Sequence, residues 1–386
     1  MGIFSDSEMA RRMDGFRAGL AERGLDGAML SSADNTYYMT GVALLSEWGR
    51  PMWGVVRADG GSAIVGAAIE TENMARNSAT DEVFPYDDGA NVVGASLKLA
   101  ADFLAAGKGG VARIGIERAI IPLGLYEALG ERLANVEFVE IGDLVEGLRI
   151  VKSDEEMRLL DLGATIAKLG AHAFLDTIAE NVTELTVAAH AVAEMNRALG
   201  ALMPEGLTST YAYCQFAEHA HTPHLHPTGK RLRRGDIVAL NVFPVIWGYC
   251  MELERTFVFG QPTAAQRDAL EAVNRAQDAA MAAIRPGAKL SDIDHMTRKM
   301  LGEAGYGALI RHGTGHAHGI MIGAAGREER GEIRTYNDGV LEPGMVNSVE
   351  PGIYGEVGAF RHSDVMACTA DGGRWMTEFP RDIAYG

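Results

Sequence analysis

The sequence predicts two domains in series, an α/β domain over residues 1–149 and an α+β domain over residues 150–386. Three observations lead there. Strand-like apolar runs alternate with helical stretches through the first part of the chain, the pattern of a sheet covered by helices. A capping box, Ser153 with Glu156 three residues on, then opens a long helix. Beyond it, glycine-bounded strands are interleaved with further helices, which suits helices outside and curved antiparallel strands inside.

The elements follow in order. Residues 5–24 carry Met9, Met13, Phe16 and Leu20 near helical spacing, and Gly24 closes that helix. "DGAMLSS" (26–32) is expected as a buried strand, and further strands are expected at 52–57, 62–68, 113–117 and 136–141, with helices near 90–105 and 122–134. In the second domain the helix at 153–178 is followed by one at 183–199. Strands fill 235–260, and a helix at 263–284 is broken by "RPG" (285–287) before another at 290–304. Strand and loop return at 344–354 and 360–370.

The formal net charge of −17 and pI near 5.1 argue against nucleic acid or an anionic membrane surface as partner, because both would repel the chain. No stretch approaches the roughly 18 apolar residues of a membrane span, and the charged N-terminus does not have the form of a signal peptide. Cys214, Cys250 and Cys368 are too few and scattered for a disulfide framework or a structural zinc site. A reducing, cytoplasmic location is expected.

Candidate chemistry is concentrated in a few segments. His219, His221, His224 and His226 lie in the loop-forming "EHAHTPHLHPTG", and two further histidines lie in "GTGHAHG" (313–319). Imidazole is the natural general base near neutral pH and a common metal ligand, although a polar loop can be histidine-rich without function. Glu252 and Glu254 stand two apart in a strand-like run and so share a face; a solvent-facing strand would look the same. Glu350 is a lone acid in an apolar strand, so it either faces water or meets a cation or proton donor. Arg50, beside Trp48, and Arg327 sit in loops, and arginine binds carboxylates two-pronged.

Together these segments resemble the pita-bread family of methionine aminopeptidases, aminopeptidases P, prolidases and creatinases. "SADNTYYMTGV", "LRIVKSDEEMRLL", "LRRGDIVALNVFPVIWGYCMELERTF", "GTGHAHG", "LEPGMVNSVEPGIY" and "FRHSD" fall in the family's order along nearly the whole chain. The metallopeptidases of that family bind two ions through two aspartates, a histidine and two glutamates. The matching positions here hold Asn241, Glu252, His316, Glu350 and Ser363. Asn241 and Ser363 are neutral and poor ligands for such a pair of ions, which implies that the two-ion site is absent and that no cofactor is used, with a single weak ion on His316, Glu252 and Glu350 left open.

"ALNVFPVIWGYCMELERT" is similar to the metal-free creatinase branch. That resemblance implies a pita-bread fold for the second domain, His224 as catalytic base, and Glu254 and Glu350 as ligands of a substrate guanidinium. It implies Arg50 and Arg327 as clamps on a carboxylate, with Trp48 and His316 completing the substrate site. It further implies a homodimer in which Arg50 reaches the partner's site. The implied reaction is hydrolysis of a small zwitterionic guanidino compound, creatine giving sarcosine and urea. Another small zwitterion would suit the same five polar residues, and a metal-dependent Xaa-Pro dipeptidase is the remaining alternative. The extra His226, the carboxylate at Glu252 and the small apolar residues before Arg327 depart from the creatinase pattern and bear on substrate identity.

Overall fold

The computed structural model describes residues 3–43, 50–107, 111–203, 205–322 and 329–383. These fall into two compact units, one of the described residues up to 149 with 320–322, the other of 150–319 with 329–383.

The first unit runs α1 (Asp6–Glu22), β1 (Gly27–Leu30), α2 (Ala33–Thr40), β2 (Trp53–Arg57), β3 (Ser62–Ala67), α3 (Thr71–Asn77), β4 (Glu82–Tyr86), α4 (Val92–Ala105), β5 (Arg113–Ile116), α5 (Leu123–Arg132), β6 (Glu137–Glu140) and α6 (Gly142–Arg149). The strands form one mixed sheet in the order β4-β3-β2-β1-β5-β6. Met29, Val55, Val65, Ile114 and Ile116 pack beneath Leu97 and Leu104 of α4.

Four elements of this unit, α2, α3, β4 and α6, were not foreseen. β4 contains Pro85, which cannot donate to a ladder, and it lies at the sheet edge where that is tolerated. α2 is short but capped at both ends: Ser32 accepts from the Asn35 amide, and Gly41 closes it at φ 79°. The buried carboxylate of Glu117 holds the start of α2, accepting from the amides of Ser31 and Ser32, the Ser32 hydroxyl and the Asn35 side chain.

The second unit opens with α7 (Asp154–Asp176), whose capping box of Ser153 and Glu156 is formed on both sides. It continues with α8 (Glu184–Leu202), β7 (Tyr211–Phe216), β8 (Ile237–Phe243), β9 (Val245–Ile246), β10 (Tyr249–Cys250), β11 (Leu253–Val258), α9 (Ala264–Ala283) and α10 (Leu290–Glu303). The chain ends in β12 (Val346–Val349), β13 (Gly352–Gly355), β14 (Gly358–Arg361), β15 (Asp364–Thr369) and β16 (Gly372–Trp375). The expected strand run at 235–260 is thus four strands, because Trp247 (φ 49°) and Gly248 (φ 78°) turn the chain back. β7, unassigned from the sequence, supplies the third strand of the antiparallel sheet β11-β8-β7.

Register in that sheet puts Tyr213 opposite Asn241 and Asn241 opposite Glu254, so one row of side chains crosses three strands on a common face. A bridge between Glu254 and Ser363 joins β11 to the β14–β15 corner. On the other face of β11, the fully buried Arg255 pairs with Asp364 at 2.8 Å and donates to the carbonyls of Phe379 and Pro380. The alternation of β11 therefore separates a structural ion pair from the face bearing Glu254.

Candidate active site

The site is built where β8, β11, β12 and β14 bring side chains together with the extended segment 314–318. That segment pairs with β12 through His318 N to Val346 O, Ser348 N to His316 O and Glu350 N to Thr314 O, at 2.7–2.8 Å. The two-residue period of an extended chain turns His316 and His318 toward one place.

Three carboxylates converge there. Glu252, Glu254 and Glu350 are all at least 95% buried, and each offers an oxygen within 4.8 Å of the others. Glu350, left open by the sequence, meets cationic and proton-donating groups. Its Oε1 is 3.6 Å from Nε2 of His316, and its Oε2 is 3.7 Å from Nη1 of Arg361. Arg361 lies nearer still to Glu254, with Nε 2.6 Å from Oε2. Burial pushes the Glu254 carboxyl up; Arg361 opposes this, and the charges of Glu252 and Glu350 reinforce it. Burial likewise works against the Arg361 charge, but Glu254, Tyr354 and Glu350 outweigh it and hold the guanidinium protonated.

A polar chain links this cluster to the histidine-rich loop. Arg361 donates to Oδ1 of Asn241 at 3.3 Å, and Nδ2 of Asn241 donates to Oε1 of Gln215 at 2.8 Å. The Gln215 amide nitrogen donates in turn to the carbonyls of Pro223 (3.1 Å) and Leu225 (2.8 Å), the two residues flanking His224. The loop is gripped from its other side by the fully buried Glu184. That carboxylate accepts from the Phe216 and Thr228 amides and the Thr228 hydroxyl, and contacts Nδ1 of His219 at 2.9 Å. His224 itself is exposed on a backbone fixed at both sides. Tyr211 stacks on Phe243 at 4.7 Å, and Tyr213 meets the ring of His226 edge-on at 5.1 Å.

Among the residues expected in the site, Glu254, Glu350 and His316 are brought together. His224 is placed by the neighbouring loop. Arg50, in the first unit, is exposed and ion-paired with Asp88. Trp48 and Arg327 lie outside the described residues. Sequence reasoning missed Arg361, Gln215, Glu184 and the contribution of His318. The signal for His318 was available, since it stands two residues from His316 just as Glu254 does from Glu252. Arg361 was visible only as part of "FRHSD", and Gln215 and Glu184 had no local mark at all.

With the geometry in hand, comparison with known proteins places the chain. The model of the Creatinase/Prolidase N-terminal domain matches residues 12–151, and that of metallopeptidase family M24 matches residues 159–370. The chain belongs to the creatinase/prolidase M24 family of hydrolases, and it has that family's α/β N-terminal domain and α+β pita-bread domain. It is 33% identical over 385 residues to a creatinase of a Bacillus species, covering 98% of this chain and 92% of the relative. It is 27% identical over 362 residues to an Xaa-Pro dipeptidase of Pyrococcus horikoshii, covering 93% and 94%. The solved Xaa-Pro dipeptidase from Bacillus anthracis superposes with a TM-score of 0.83 at 25% identity, covering 97% of this chain and 99% of that one.

The metallopeptidases of the family hold a pair of ions, and the donor set here does not match what such a pair requires. Both ends of the Asn241 amide are engaged, by Gln215 and Arg361, and the Ser363 hydroxyl donates to Oε1 of Glu252. Neither offers the anionic oxygen that a dinuclear site needs, and the Arg361 cation already lies against two of the glutamates.

Proposed function

We propose that this chain is a cytoplasmic, metal-independent hydrolase of a small zwitterionic guanidino compound, with creatine to sarcosine and urea as the reaction that fits best. The observation that carries it is charge. Among the described residues, three buried carboxylates share one site with one guanidinium, that of Arg361. Buried negative charge in excess is costly, and a cationic substrate headgroup offsets it. A planar guanidinium can also meet the carboxylates by paired, charge-assisted hydrogen bonds.

In this reading Glu254 and Glu350 hold the guanidinium nitrogens, with His316 beside them. His224, neutral at rest, takes a proton from a water as its oxygen bonds to the guanidinium carbon. The bond from that carbon to the substituted nitrogen then breaks, and the imidazolium returns the proton to the leaving amine. Urea and an amino acid result. Gln215 fixes the carbonyls on both sides of His224, so the base is oriented in advance. Arg50, Arg327 and Trp48 receive the carboxylate end, Arg50 from the partner chain of a homodimer, with the substrate replacing Asp88 as its anion. The three cysteines are buried free thiols, in keeping with a reducing compartment.

A second reading, a metal-dependent Xaa-Pro dipeptidase, is favoured by the dipeptidase relatives and weakened by the engagement of Asn241 and Ser363. The deciding experiment is a substrate panel. Urea release from creatine, other guanidino acids and cyclic amidines would be measured in the presence of chelator, beside cleavage of Xaa-Pro dipeptides with added divalent metal. Dipeptide cleavage that requires metal, without urea release from any guanidino compound, would reject the proposal.

A further inference from the structure

The carboxylate cluster sits where two strands part. β12 and β15 pair in register as far as Val349 opposite Asp364. Two residues further, the same register would set His362 against Pro351, which has no N–H to give to the His362 carbonyl. Ser363 has by then turned to β11, where it exchanges both backbone bonds with Glu254. Glu350 follows the last paired residue of β12, and Arg361 precedes His362, so the two stand on the two prongs of a fork.

Gln277 of α9 closes that fork from behind. Its side chain is fully buried and has no part in the hydrolysis proposed. Its Nε2 donates to the carbonyls of Val349 (2.9 Å) and His362 (3.1 Å) and lies 3.1 Å from Oδ2 of Asp364. Nη1 of Arg381 donates to its Oε1 at 3.0 Å, and Nη2 of Arg381 donates to Asp278 at 2.5 Å. Three acceptors around one end of the amide and a donor at the other fix which end is nitrogen. A buried carbonyl needs a donor, and Gln277 gives His362 the one that Pro351 lacks.

We propose that Gln277 is a positioning residue for the candidate active site: by tying Val349 to His362 it sets the separation of Glu350 from Arg361. The opposite flank of Arg361 is held by β11, since its amide and its carbonyl both bond the Thr256 hydroxyl. Toward β12, the Gln277 amide takes the place of the interrupted ladder. Oε2 of Glu350 stands 3.7 Å from Nη1 of Arg361, longer than a direct hydrogen bond, so the backbone rather than that contact keeps the gap. A substrate guanidinium held by Glu254 and Glu350 uses the gap in the ground state and the transition state alike. Only this kinetic consequence rests on the proposed hydrolysis.

The test is Gln277→Met in the full-length protein, which keeps the length and removes the donors. Gln277→Glu, which also retains an acceptor for Arg381, serves should the first variant fail to fold by circular dichroism. One readout is hydrogen exchange at Nε of Arg361 by ¹⁵N NMR, assigned by its loss in Arg361→Lys. Its rate is expected to rise at least about tenfold more than that of a core amide such as Leu240, which reports overall stability. The other readout is urea release from creatine. KM should rise at least about tenfold with kcat within about threefold, the mark of lost uniform binding, whereas a merely less stable protein loses active fraction and hence kcat at unchanged KM. Arg361 exchange that moves only with the core amide overturns the proposal, and so does unchanged KM in a variant that turns creatine over. Should the wild-type protein release no urea from any guanidino compound, the proposed hydrolysis falls, and Arg361 exchange alone decides on Gln277.

Discussion

Nε of Arg361 lies 2.6 Å from Oε2 of Glu254, so one of the two glutamates expected to receive a substrate guanidinium already holds the chain's own. Glu350 is 3.7 Å from the same guanidinium. A second guanidinium would therefore join a cluster whose first cation is structural. Arg361 lowers the cost of assembling three buried carboxylates but leaves them in excess.

Arg361→Leu should accordingly be destabilising by about 3–5 kcal/mol, the usual consequence of removing one partner from a buried pair. The variant also removes a donor from Asn241. Chemical denaturation would measure this. A loss below about 1 kcal/mol would show that water screens the cluster.

Chelation should leave urea release intact, because the reaction proposed uses no ion. Activity lost on chelation and restored by metal would return the chain to the dipeptidase reading.

His224→Ala should reduce turnover by about 100- to 10,000-fold with the fold kept. His226→Ala should be milder, since that ring packs against Tyr213. Gln215→Leu would release both carbonyls that flank His224. It should lower kcat by about 100-fold with a smaller change in KM, the mark of a displaced base. A Gln215 variant with unaltered kcat would remove the residue from this role.

Arg50→Ala and His224→Ala should each be inactive alone. If Arg50 serves the partner's site, mixing the two variants under subunit exchange should restore part of the activity, since one site of the mixed dimer gains both intact residues. Arg50→Lys should also be impaired, because an ammonium does not reproduce the two-pronged guanidinium–carboxylate contact. Demonstrated exchange without recovery would reject the arrangement in trans.

His362 predicts the acid limb of stability. It is fully buried, and burial, then the cations Arg255 and Arg381, hold its pKa well below the usual 6.5. The folded state keeps it neutral while the unfolded chain takes up a proton below about pH 6.5, so stability should fall as pH drops through that value. His362→Gln should flatten this limb in a series of thermal melts from pH 7.5 to 5. Parallel curves for the two proteins would assign the acid lability elsewhere.

By itself the sequence determined the elements whose causes are local. Ser153 and Glu156 cap α7 because the motif closes on itself within one turn. Glu252 and Glu254 approach one site because an extended chain repeats every two residues. The order of motifs was enough to mark the family. Tertiary structure alone decided what those carboxylates meet. Glu254 finds Arg361 only because β11 bridges Ser363, more than a hundred residues away, and Asn241 finds Gln215 only through the register of β7 on β8. Contacts of that kind depend on how strands align. Shifting the register by one residue would turn every side chain to the opposite face, and no local periodicity along the chain records which alignment is adopted.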